Sequence, residues 1–130
     1  MGFIDGIFGN QTPNDNNNKE TKYQELQLVS QLDAIDALSF SKVVVIFKHS
    51  TRCSISRFAL KGFENDFNYD LDKIEWYLLD LLSYRNVSNE IAHRYGVQHQ
   101  SPQIIVLQNA KVVFSATHDA IDANDLKQFT

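Results

Sequence analysis

A chain of 130 residues with 43% hydrophobic content is the size of one ordinary globular domain and can build a core without disulfide staples. Twelve basic against sixteen acidic residues leave a net charge of −4, with no basic stripe to neutralise phosphates, which argues against a nucleic-acid partner. A single cysteine excludes an internal disulfide and a multi-cysteine zinc site, and fits a reducing cytoplasm.

The opening segment Met1 to Phe8 is apolar but short, lacks a basic flank and carries Asp5. It reads as neither a signal peptide nor a membrane span, and no membrane partner is expected. Gly6 stands where an N-myristoylation pattern needs Ser or Thr. Asn10 to Lys19 is a polar tract with a proline and no apolar residue; it cannot offset its ordering entropy by burial and reads as a linker. The expected organisation is a flexible tail over 1–20 and one domain over 21–130.

Leu26 to Ser30 reads as a first strand, with Ser30 placed to cap the helix carried by Leu32, Ile35 and Leu38. Val43 to Phe47 is β-branched and aromatic without polar alternation, the pattern of a strand covered on both faces. A polar turn, Lys48 to Arg52, follows. From Cys53 the period becomes helical, with Ile55, Phe58, Ala59, Phe63 and Phe67 expected as one buried stripe. Ile74 to Leu82, including Trp76, reads as the next strand. Asn86 or Ser88 is placed to cap a helix that Gly96 ends. After the turn at Ser101-Pro102 come two strands, Ile104 to Leu107 and Val112 to Phe114, joined at Asn109-Ala110. A helix from Asp122 to Gln128 closes the domain. The order β-α-β-α-β-α-β-β-α implies an α/β, thioredoxin-like fold: a mixed central sheet flanked by helices, its first three strands parallel and its last two a hairpin at one edge.

The chemistry concentrates at Cys53-Ser54-Ile55-Ser56, where a buried strand meets an amphipathic helix. Free backbone N–H groups and the positive dipole end of a helix N-terminus favour a thiolate there. Lys48, Arg52 and Arg57 are close enough in sequence to add positive potential. Ser56 occupies the second cysteine's place in a Cys-x-x-Cys motif; its hydroxyl can donate to a thiolate but cannot form a disulfide, so the motif implies a mixed disulfide resolved by an external thiol. Judged by residue type alone, a lone cysteine is more often a buried core residue. Cys53, however, follows five polar residues and precedes the apolar stripe.

The second constellation is Val97 to Gln103. Pro102 just before a buried strand marks a strand start or an edge, and in thioredoxin folds this spot carries a cis-proline facing the cysteine, with the preceding residue, Ser101, pairing its backbone with substrate. Metal is the weaker use of His49, His93, His99 and His118, because no compact ligand pair exists; His49 reads as a modulator of Cys53 or a solvated loop residue. Asp80 is either a buried proton relay or a loop cap.

Phe47-Lys-His-Ser-Thr-Arg-Cys53-Ser-Ile-Ser-Arg57 resembles the active-site segment of the monothiol bacilliredoxins (YtxJ-type), a thioredoxin-fold family. Asp80 to Ala92 resembles that family's third strand and following helix, and Gly96 to Gln103 its proline loop; the likeness spans roughly residues 24–128. The resemblance implies that Cys53 takes bacillithiol from a protein mixed disulfide and that a second thiol releases it. Cys53 and Ser56 are then the catalytic pair, while Thr51, Arg52, Ser101 and Pro102 contact substrate. No bound cofactor is implied; bacillithiol or a related low-molecular-weight thiol is the co-substrate, thiol-modified client proteins are the partners, and the chain is a monomer. The alternatives are a non-catalytic binding module, a one-cysteine peroxide reducer and a redox-sensing adapter switched at Cys53.

Overall fold

The computed structural model describes residues 23–130; the tail over 1–20 and the domain start at Thr21 lie outside the described residues. Strand β2, Val43–His49, is buried along its whole length, as its unbroken apolar run requires. It is the middle of a five-stranded sheet in which β1 (Tyr23–Glu25), β3 (Ile74–Asp80), β4 (Gln103–Gln108) and β5 (Lys111–Thr117) take the order β1-β3-β2-β4-β5. β3 runs parallel to both β1 and β2, whereas β4 is antiparallel to β2 and to β5. Helices α1 (Ser30–Leu38), α2 (Ser54–Asp66) and α3 (Arg85–Tyr95) connect the strands, and a 3₁₀ turn (His118–Ala120) and a 3₁₀ helix (Ala123–Phe129) follow β5. This is the expected thioredoxin-like arrangement.

Strand periodicity divides the core in two. Val44 and Ile46 of β2 join Leu32, Ile35, Val87 and Ile91 under α1 and α3, in a mostly aliphatic layer that also takes in Tyr77. Val43, Val45 and Phe47 face the other way and join Phe63, Phe67, Trp76 and Leu126 under α2 and the 3₁₀ helix. The Phe63 ring meets Phe47, Phe67 and Trp76 with centroids 4.8–5.8 Å apart in tilted or edge-on pairs.

Three local expectations need correction. The first strand is Tyr23–Glu25, not Leu26 to Ser30. The Gln31 side chain accepts from the Gln27 and Leu28 N–H groups and donates to the Glu25 carbonyl, folding this stretch into a loop before α1. Ser30 is the first residue of α1 rather than its cap, and α3 likewise begins at Arg85, with Asn86 and Ser88 inside it. The stripe on α2 is also rotated. Ser56 is fully buried, while Ile55 is 59% and Phe58 83% exposed. Phe58 lies about 140° around the helix from Phe63 at 100° per residue, so both cannot face one core. The buried face runs through Ser56, Phe63 and the capping residue Phe67, with Ala59 and Leu60 beside it.

The turns follow their residues. Gly96 ends α3 with φ +64°. Asn109 and Ala110 both take positive φ, as a two-residue hairpin needs, and their N–H groups bond the Ser39 carbonyl and hydroxyl. The closing helix is 3₁₀, and the Asp122 side chain accepts from the Asn124 N–H at its start.

Candidate functional site

Cys53 is the N-cap of α2, in extended backbone conformation (φ −105°, ψ 122°) and half-exposed. Its carbonyl accepts the first helical bond, from Arg57 N–H at 3.0 Å, and its own N–H donates to the Ser50 carbonyl at 3.2 Å. An N-cap side chain meets the first-turn N–H groups that have no partner within the helix. Here that side chain is a thiol. The thiol makes no capping hydrogen bond to them and stands half-exposed at the head of the helix.

The β2 end places two polar residues on opposite faces. His49 points toward α2, where its Nδ1 lies 2.7 Å from the Ser56 hydroxyl. The Ser50 N–H donates to the same hydroxyl at 3.0 Å. These are the two hydrogen bonds of Ser56; none joins it to the Cys53 sulfur. Burial pushes the His49 pKa down, the Asp80 carboxylate pulls it back up, and the Arg57 guanidinium adds to the lowering. Asp80, the register partner of His49 on β3, accepts from the Ser83 hydroxyl through Oδ2 and keeps Oδ1 buried without a partner.

Lys48 points the other way, toward α3. It is fully buried, and its Nζ reaches the Ser88 carbonyl at 3.4 Å. Burial lowers its pKa to about 8. The sequence suggested that Lys48 adds potential at Cys53; strand alternation instead places its ammonium beneath the sheet. Of the other two cations, Arg57 donates to the Thr51 carbonyl at 3.1 Å and so ties down the loop before the cysteine, while Arg52, like Thr51, is exposed.

The Ser101–Pro102 peptide bond is cis. Pro102 is buried just before β4, and its carbonyl accepts from the His118 N–H at 3.0 Å. Lys48 pairs with Gln103 across β2 and β4, so one step further the register sets Pro102 beside His49. The proline loop and the Cys53 loop therefore share one end of the sheet. Gln103 holds the proline loop, accepting from the Gln100 N–H and donating to the Gln98 carbonyl. The Ser101 hydroxyl is buried without a partner. Among the described residues no three His, Cys, Asp or Glu side chains gather as a metal site, and no helix is long and apolar enough to cross a membrane. His99 bonds Ser88 on the α3 side of the sheet.

Two features escaped the sequence. One is the His49–Ser56 bond; the signal was a polar residue at an inward helix position seven residues after a strand-end histidine. The other is a groove of about 640 Å³ along the outer flank of α2, lined by Ile55, Phe58, His118, Asp119 and Ile121 among others. Its apolar wall is the part of the stripe expected in the core.

A half-exposed cysteine at a helix N-cap, sharing a sheet end with a cis-proline, defines a thioredoxin-fold protein of the thiol oxidoreductase kind. Residues 24–126 match the family model of the monothiol bacilliredoxin BrxC, and the chain belongs to that family. Among solved structures it is similar to one whose description proposes an oxidoreductase with a thioredoxin fold, at 30% identity and TM-score 0.70, covering 82% of this chain and 92% of that one. Thioredoxin from Schistosoma mansoni (21% identity, TM-score 0.64, 84% and 99% covered) and thioredoxin NaTrxh from Nicotiana alata (15%, 0.65, 86% and 92%) share the fold.

Proposed function

We propose that this protein is a cytoplasmic monothiol oxidoreductase that reduces protein mixed disulfides by way of a Cys53 mixed disulfide with a low-molecular-weight thiol of the bacillithiol type. The observation that carries the reading is the N-cap position of Cys53, with Ser56 rather than a second thiol three residues on. The Cys53 thiolate attacks the small thiol's sulfur in the client's mixed disulfide. A Cys53–small-thiol S–S bond forms, the client S–S bond breaks, and the client leaves as a thiolate that takes a proton from solvent. A second small thiol, as its thiolate, attacks the adduct, releasing the symmetrical small disulfide and regenerating the Cys53 thiolate. In sum one small thiol is consumed for each client thiol released, and the disulfide passes from the client to the pair of small thiols.

The open N–H groups of α2 stabilise the thiolate both before attack and as the leaving group. Pro102 shapes the client's docking surface at the sheet end beside the Cys53 loop, the Ser101 backbone offers pairing to an extended client segment, and the exposed Thr51 and Arg52 flank the incoming thiol. The partners are thus thiol-modified proteins and the small thiol itself, met by a monomer. Neither nucleic acid nor membrane has a part in the reaction.

The test is intact-mass spectrometry of the reduced full-length chain mixed with bacillithiol disulfide or with glutathione disulfide. A single adduct on Cys53 with the former, formed faster than with the latter and absent in Cys53→Ser, is the expected result. No adduct from either would leave Cys53 a structural residue and reject the reading.

A further inference from the structure

The Ser56 hydroxyl has one hydrogen to give and two lone pairs to fill. The Ser50 N–H fills one lone pair. The 2.7 Å contact with His49 Nδ1 then has two forms. When Nδ1 is bare, Ser56 donates its only hydrogen to the ring and has none for any other acceptor. When Nδ1 carries a hydrogen, the ring donates instead, the second lone pair is filled, and the hydroxyl hydrogen is free to turn away. Ser56 is the third residue of α2 and Cys53 its N-cap, the position from which a side chain can reach the third residue of its helix; no bond joins the two here, as the form with Ser56 donating to the ring requires. The acceptor offered to the freed hydrogen is the cysteine sulfur.

We infer that His49 is a positioning residue for this exchange, its ring deciding whether the Ser56 hydrogen serves the ring or the Cys53 sulfur. The inference rests on the exchange reading above and adds a control to it. Burial favours the neutral ring at rest, and the surrounding charges are few: Asp80 on β3, Arg57 on α2 and the Cys53 sulfur at the head of α2, while Lys48 on β2 faces away. On the β4 side Gln103 and Ile104 are uncharged. Asp80 Oδ1, buried and unpartnered, supplies the counter-charge when His49 takes a proton from solvent. A thiolate at Cys53 and a hydrogen on Nδ1 therefore favour each other, and a neutral disulfide sulfur releases the pair to the resting form. Such reciprocity is required of any two coupled titrations.

The experiment is titration of the His49 ring by nitrogen-15 NMR in the full-length chain. It compares the thiolate-competent protein, the same protein with Cys53 capped as a methyl disulfide, and both forms of Ser56→Ala. Capping should lower the His49 midpoint by about half a pH unit or more, and Ser56→Ala should remove most of that difference. His49→Asn, whose amide nitrogen stands near the Nδ1 position but does not titrate, should leave the alkylation rate of Cys53 without the inflection that His49 gives it. An equal capping shift in Ser56→Ala would assign the coupling to charge alone and overturn the inference, as would no shift in the parent protein. If the parent forms its Cys53 adduct while the shift is missing, only this inference falls. If no adduct forms at all, the exchange reading falls with it.

Discussion

The two faces of the sheet are built from different materials and do different work. Under α1 and α3 the core is mostly aliphatic, with tyrosines at its margin, and the Lys48 ammonium buried on that side has one long bond to the Ser88 carbonyl. Under α2 it is aromatic, with Phe63 and Trp76 each in ring contact with Phe47, Phe67 and each other. The polar residues on that side, His49 and Ser56, are bonded to each other directly behind the cysteine loop. The aromatic face thus carries the site, since the rings pack against α2, and α2 positions both the N-cap sulfur and the hydroxyl one turn on. The other face carries a buried amine that points away from the cysteine, to the Ser88 carbonyl.

The largest expected effect is on the aromatic side. Phe63→Ala removes a ring that touches three others and should cost about 3–5 kcal/mol in a denaturant titration. A loss under 1 kcal/mol would mean that α2 is not held by this cluster.

On the aliphatic side, Lys48 gives a pH-dependent effect. Its pKa in the fold is near 8, against 10.5 for the free side chain, so above pH 8 the unfolded chain holds more protons than the folded one. Stability from this group is lowest below pH 8 and rises as pH climbs toward 10.5, by on the order of 2–3 kcal/mol. The gap between wild type and Lys48→Met should change by that amount across the window. A constant gap would show that the amine finds water or a partner.

The smallest effect separates the two sides of α2 itself. Phe58→Ser, at a position 83% exposed, should leave stability within about 0.5 kcal/mol of the parent. A loss as large as that of Phe63→Ala would restore the stripe read from the sequence.

Much of this was legible because local chemistry and fold agree. The unbroken run of β2, the change of period at Cys53, the helix stop at Gly96 and the Asn109-Ala110 turn each follow from residue type and stand where they were expected. The departures come from side chains whose partners lie elsewhere in the chain. Gln31 turns an apparent strand into a loop through bonds to Glu25, Gln27 and Leu28. Ser56 takes an inward position that hydrophobicity assigns to Ile55, because His49 and Ser50 satisfy its hydroxyl there. Lys48 is charged and close to the cysteine in sequence, yet alternation along β2 puts its ammonium on the far face. The Cys53 and Pro102 loops were recognisable separately; the antiparallel pairing of β2 with β4 brings them to one end of the sheet.

The most direct measurement is single-turnover transfer from a client protein carrying bacillithiol on one cysteine, followed by intact mass of both proteins. Monothiol exchange predicts that the bacillithiol mass leaves the client and arrives on Cys53 in equal amount, with one client thiol released per adduct, and that Cys53→Ser shows no transfer. A client that keeps its modification in the presence of the reduced protein, or one that loses it equally fast with Cys53→Ser, would contradict the mechanism.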